Sequence, residues 1–218
     1  MYKLLIFDWD GTVIDSAARI VSSIQRAALD LAFEPPGVDA IHNIIGLGLP
    51  EAILTLYPGL ADQDVGRMRE RYAHYYLVAD ETPTALFPGA RESLESLRDK
   101  GFRLAVATGK SRRGLDRVFD ETGLGPLFEV SRCADETTSK PDPHMLHEIL
   151  ELTGLSSAEA LMIGDTEYDM EMGVRAGVAG VAVSYGAHHI DRLKPYNPVL
   201  EIDHFPELEH WLDTHRQV

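Results

Sequence analysis

The sequence predicts an α/β fold: a doubly wound parallel sheet with an all-helical segment inserted after the first strand. Three observations carry this expectation. Short apolar runs alternate with helix-like stretches closed by glycine. No convincing strand pattern occurs from about residue 16 to 82. The apolar runs also end in acids or a hydroxyl, which places polar chemistry at one edge of the sheet. Strand–helix alternation of this kind builds a parallel sheet covered on both faces.

The elements follow in order. Lys3–Asp8 is a continuous apolar run ending in acid, the pattern of a strand buried on both faces. Helix-like patterns then cover Ala17–Leu31, Pro50–Leu56 and Asp64–Val78, separated by Pro35-Pro36-Gly37, Gly46–Gly48 and Pro58-Gly59. The return from Pro83 to Gly89 has two prolines and a glycine, as a linker would. Strands are expected at Arg103–Thr108, Ala160–Asp165 and Gly180–Ser184. Helices are expected at Glu92–Lys100, Arg112–Thr122, Pro143–Thr153 and Tyr168–Ala176. Gly101, Gly123, Gly154 and Gly177 stand where a left-handed residue would close each helix. A possible edge strand (Val199–Ile202) and a short helix around Leu208–Leu212 complete the chain.

Composition narrows the function. The 218 residues include 20 Lys+Arg and 35 Asp+Glu, a formal charge of −15. That field repels a phosphate backbone, so a nucleic-acid partner is not expected. Hydrophobic residues at 44% are ordinary for a globular chain. Cys133 is the only cysteine, so no intramolecular disulfide forms and a reducing, cytoplasmic setting is the expectation. The opening apolar run is too short and wrongly flanked for a signal peptide, and no stretch reaches the roughly 18–20 apolar residues of a membrane span.

Ligands of open parallel sheets bind at the carboxyl ends of the strands. There the sequence puts Asp8 and Asp10, then Thr108, then Asp165, with Lys140 in the loop before the helix at Pro143. Clustered carboxylates call for a cation, and Mg²⁺ takes oxygen ligands while leaving places for substrate phosphate. One carboxylate suits nucleophilic attack on phosphorus, a second suits proton transfer, and Thr and Lys suit the spread phosphoryl charge.

FDWDGTVIDS (Asp8, Asp10), VATGK (Thr108), SKPDP (Lys140) and IGDTEYDM (Asp165, Asp169) resemble, in order and spacing, the four motifs of haloacid dehalogenase superfamily phosphatases. The helical insertion is similar to the cap of the phosphoglycolate-phosphatase-like branch. The resemblance implies a Rossmann-like core over residues 1–15 and 83–218, and a helical cap over 16–82. It implies that Asp8 is the nucleophile and Asp10 the general acid/base. Mg²⁺ would be held by Asp8, the Asp10 backbone carbonyl and Asp165, with Asp169 supporting the metal or Lys140. The expected activity is Mg²⁺-dependent hydrolysis of a small phosphorylated metabolite through an aspartyl phosphate, by a monomer or small homo-oligomer with no membrane partner.

Two departures bear on substrate. Gly109 follows Thr108 where phosphoglycolate-type members often have asparagine, and His42–Glu51 contains no Lys or Arg to meet an anionic leaving group. A phosphomutase is the competing enzyme, and a phospho-receiver or binding protein the competing class. A receiver's motif order does not match. A phosphonatase is excluded because no lysine lies between Lys3 and Lys100.

Other clusters read as structural. Lys110, Arg112 and Arg113 at a helix start are expected to face solvent at least as readily as substrate. Tyr72, Tyr75 and Tyr76 fit the core of the insertion, and His188-His189 a polar loop. His144 and His147 share a helix face without a third ligand, and Cys133 reads as a small buried filler.

Overall fold

Six parallel strands form the central sheet of the computed structural model, which describes residues 1–215. The chain runs β1 (Leu4–Phe7), β2 (Ile14–Asp15), α1 (Ala17–Asp30), α2 (Val38–His42), α3 (Leu49–Leu56) and α4 (Asp62–His74). A π-helical turn, Tyr75–Ala79, extends α4 before β3 (Ala85–Leu86) and α5 (Ala90–Asp99). There follow β4 (Arg103–Thr108), α6 (Arg112–Thr122), β5 (Val130–Cys133), α7 (His144–Thr153), β6 (Ala160–Gly164), α8 (Glu167–Ala176), β7 (Ala179–Val183), β8 (Leu200–Ile202) and α9 (Pro206–His215).

The sheet order is β5-β4-β1-β6-β7-β8. From β1 the chain builds outward through β4 and β5, then returns across β1 to build the other half. The reversal falls at β1, where a doubly wound sheet opens its ligand crevice. Along β1 the side chains alternate, Leu5 and Phe7 packing into one layer and Leu4 and Ile6 into the other. The first layer also holds Leu94 and Leu97 of α5, Leu115 of α6 and Leu208 of α9; the second holds Met145 and Ile149 of α7 and Met172 of α8.

The helices between β2 and β3 have a core of their own, built on Ile20, Ile24, Ile41, Ile53, Met68 and Tyr76. No strand interrupts residues 16–82. The two-residue strands β2 and β3 pair antiparallel at the base of this insertion, a ribbon the sequence pattern did not reveal. Gly123, Gly154 and Gly177 close α6, α7 and α8 in the left-handed conformation.

Two further elements lay outside the sequence expectation. β5 pairs with β4 at the sheet edge, and its residues VSRC lack the continuous apolar run of a doubly buried strand. α2 is a five-residue helix with a single buried residue, Ile41, too little for a periodic signal.

Candidate active site

β1 delivers Asp8 immediately after Phe7, and the Asp8 amide continues the ladder to the Ile163 carbonyl at 2.9 Å. The chain then turns sharply through Gly11 at φ +84°. A side chain at Gly11 would meet the Asp165 carboxylate at 2.2 Å, so glycine here is what lets the two strand ends approach. Thr108 is the last residue of β4. Asp165 follows β6, and Thr166 opens α8 in a capping box with Asp169. Lys140, whose peptide to Pro141 is cis, lies in the loop between β5 and α7.

All six residues expected at the site are buried, from 0% exposure at Asp165 and Asp169 to 8% at Asp10. One oxygen from each of Asp8, Asp165 and Asp169 lies within 4.8 Å of the others. Lys140 sits between two of them, 2.7 Å from Asp8 and 2.6 Å from Asp169. Asp169 is fully engaged: Lys140 donates to Oδ1, while the Thr166 amide and hydroxyl donate to Oδ2 at 3.0 and 2.7 Å. It thus ties Lys140 to the start of α8. Asp165 accepts from the Thr12 hydroxyl at 2.9 Å and the Ala187 amide at 2.7 Å.

Asp8 is different. Both its carboxylate oxygens are buried; Oδ1 meets only the Lys140 ammonium, at 2.7 Å, and Oδ2 has no hydrogen-bond partner. Burial pushes its carboxyl well above the ordinary range, and Asp169 and Asp165 add to the rise that Lys140 opposes. Burial, then Asp169, pushes Asp165 up to about 7. Burial would discharge Lys140, but Asp169 and Asp8 more than reverse this and hold it cationic. The donor set is therefore all oxygen, short of positive charge and includes an orphaned carboxylate oxygen. Those are the properties that a hard divalent cation satisfies.

Asp10 is not part of this cluster and has partners of its own. Its Oδ1 accepts from the Ser16 hydroxyl at 2.6 Å, and Lys110 Nζ reaches both carboxylate oxygens at 2.9 Å. The sequence left Lys110 open between solvent and substrate and gave it no place among the site residues. Instead of facing solvent, its side chain is only 7% exposed, and its third bond goes to the Tyr76 hydroxyl at 2.9 Å. Burial works against its charge, and Asp10 with Tyr76 and Tyr72 outweighs that. The available signal was position: Lys110 lies two residues beyond Thr108, in the same strand-end loop. Arg112, by contrast, pairs with Glu136 at 2.7 Å on the surface, as a solvated residue would. Tyr76 belongs to the insertion's core as expected, while its hydroxyl reaches the site.

The insertion closes over the strand ends. Gly48 donates its amide to the Ser139 hydroxyl at 2.8 Å, and the Tyr168 hydroxyl donates to the Asn43 carbonyl at 2.8 Å. The Gly46 and Leu47 carbonyls lie so near Gly109 that a Cβ there would meet them at 2.5–2.6 Å. A cavity of about 640 Å³ remains between insertion and sheet, with Asp8, Asp10 and Thr108 in its wall. His188, expected in a polar loop, is 2% exposed and accepts from the Glu167 amide at 3.2 Å.

A doubly wound sheet with four acids, a lysine and a threonine at its switch point, covered by a helical insertion, defines a hydrolase-type centre. The chain belongs to the haloacid dehalogenase-like hydrolase family, whose family model matches residues 5–183. It is 34% identical to the Dickeya dadantii protein named "Probable phosphatase IndB", over 95% of this chain and 92% of that one. It is 31% identical to a phosphoglycolate phosphatase of Pseudomonas fluorescens, over 94% of this chain and 78% of the relative. Among solved structures, a hydrolase from Pseudomonas syringae superposes with a TM-score of 0.88 at 24% identity, covering 97% and 98% of the two chains. Among the described residues, no helix is long and apolar enough to cross a membrane.

Proposed function

We propose that the protein is a Mg²⁺-dependent phosphatase of small phosphate esters, with residues 1–15 and 83–218 as the catalytic core and 16–82 as a cap. The observation that carries this reading is Asp8, a buried carboxylate in the cavity wall beside Thr108, with Lys140 on one oxygen and no partner on the other. A buried carboxylate oxygen with no donor is costly unless its lone pairs have another use. The phosphatase named among the relatives and the family match agree with it.

Mg²⁺ would be held by Asp8, the Asp10 backbone carbonyl and Asp165, and would supply neutralisation of the phosphoryl oxygens. Asp8 attacks phosphorus, the bond to the leaving oxygen breaks, and Asp10 gives that oxygen its proton. Thr108 and Lys140 hold the equatorial oxygens, where transition-state charge spreads. Asp10 then takes a proton from water as it attacks phosphorus, releasing phosphate and restoring Asp8. Asp169 acts as a positioning residue for Lys140. The closed insertion keeps bulk water and macromolecules out during both steps.

The experiment is phosphate release from a panel of small phosphate esters. Wild type should be active with Mg²⁺, inactive after chelation and restored by added Mg²⁺, whereas folded Asp8→Asn should be inactive throughout. Unchanged wild-type rates after exhaustive chelation, or an active Asp8→Asn, would refute the reading.

A further inference from the structure

The cavity above Asp8 has two chemically distinct ends. At the sheet lie Asp8, Asp10, Thr108 and Lys110; toward the insertion the wall is Ile20, Ile24, Ile44, Ile45, Leu49 and Tyr72. About 640 Å³ falls within the roughly 300–1,000 Å³ that takes drug-sized ligands, far more space than a phosphate and a one-carbon tail require. Apolar walls of this kind gain free energy by taking hydrocarbon out of water and give nothing to a carboxylate.

Lys110, the buried cation of the wall, is already committed. A lysine ammonium has three donors, and Lys110 spends two on Asp10 and one on the Tyr76 hydroxyl. Arg69 is exposed, in water, and shares the cavity wall with the exposed acids Glu51, Glu70 and Asp135. The segment from His42 to Glu51, which lies over the strand ends, has no Lys or Arg. A substrate with a second anion in its leaving group would therefore meet hydrocarbon deep in the cavity and an excess of acids elsewhere.

We propose that this cavity is a subsite for a hydrocarbon leaving group. The preferred substrate is then a phosphate monoester of an alcohol with an alkyl or aromatic body, rather than one with a carboxylate such as phosphoglycolate. This inference rests on the phosphatase reading, but its test does not require turnover.

The probes are non-hydrolysable phosphonates, titrated calorimetrically into the full chain with Mg²⁺: propyl-, pentyl- and 3-phenylpropylphosphonate, and 3-phosphonopropionate as the carboxylate counterpart. Affinity should rise by up to about fourfold per buried methylene, and so by up to about sixteenfold from propyl to pentyl. The phenylpropyl probe should be tightest and 3-phosphonopropionate weakest. Leu49→Lys should weaken the pentyl probe and narrow its lead over 3-phosphonopropionate. Should that variant not fold, Leu49→Ala should weaken pentyl- but not propylphosphonate. Equal affinities, a carboxylate probe that binds tightest, or no binding by any probe would overturn the subsite. Phosphate release from the corresponding esters is read separately. Turnover with ungraded affinity keeps the phosphatase and removes the subsite; graded affinity without turnover does the reverse.

Discussion

At the scale of single residues, two aspartates two positions apart have been given opposite surroundings. Asp8 has one oxygen without a partner and is crowded by carboxylates, whereas Asp10 accepts from Ser16 and Lys110. In the proposed mechanism the first attacks phosphorus and the second transfers the proton. If Asp10 protonates the leaving oxygen, Asp10→Asn should slow phosphoenzyme formation by about 10²–10⁴-fold with an alkyl phosphate and scarcely at all with a nitrophenyl phosphate, whose phenoxide leaves unaided. Rapid-quench bursts with the two esters measure this, and equal slowing of both would make Asp10 a structural residue. Cys133 gives a second residue-scale test. Burial, only partly offset by Arg112, pushes its thiol up to about 12. The reactive thiolate is the deprotonated form, so it is scarce until the pH approaches that value. A thiol reagent at pH 8 should leave the native protein unlabelled and label it on unfolding; prompt labelling of the native state would contradict this burial. The convergence of Asp8, Asp10, Thr108 and Asp165 was legible in the sequence because strand ends converge whatever the loops do, whereas Asp169, inside α8, was legible only through the motif resemblance. Lys110 was not, because its role depends on Tyr76 being brought across the cleft by a separate helix.

The elements divide the same way. Helices with a full apolar face and a closing glycine were legible nearly to the residue, as α6 is at Arg112–Thr122. β5 was not, since an edge strand buried on fewer sides needs no apolar run, and its VSRC reads equally well as a loop. The two-residue ribbon β2–β3 is fixed by tertiary pairing rather than by pattern. Between elements, the decisive contact is the Gly46–Leu47 backbone seated on Gly109. A side chain there would meet two carbonyl oxygens at 2.5–2.6 Å, and neither is a flexible group that can swing aside. Gly109→Ala should therefore hold the insertion off the strand ends and lower kcat/KM by about tenfold to a hundredfold, the usual cost of a misplacement of about 1 Å. The melting temperature should change little, because the two hydrophobic cores are untouched. Initial rates and a thermal melt check both halves; unaltered kinetics would mean that this closure is not needed for turnover.

For the whole molecule, the account is one of two cores with a reaction held between them. The sheet brings distant acids to a single point, and the separately packed insertion closes above it, leaving one end of the cavity charged and the other apolar. Neither half alone has the site, since Asp8, Thr108 and Lys140 come from the sheet while Tyr76 and the apolar wall come from the insertion. The central claim is that Asp8 carries the phosphoryl group between substrate and water. Acid-quenching a turning-over sample of Asp10→Asn with Mg²⁺ and a nitrophenyl phosphate, followed by borohydride reduction and peptide mass spectrometry, tests this directly. Reduction of an acyl phosphate at Asp8 converts that residue to homoserine, and the account predicts homoserine at position 8 and at no other carboxylate. Phosphate released during the same turnover, with position 8 still aspartate or with the label on another residue, would contradict it.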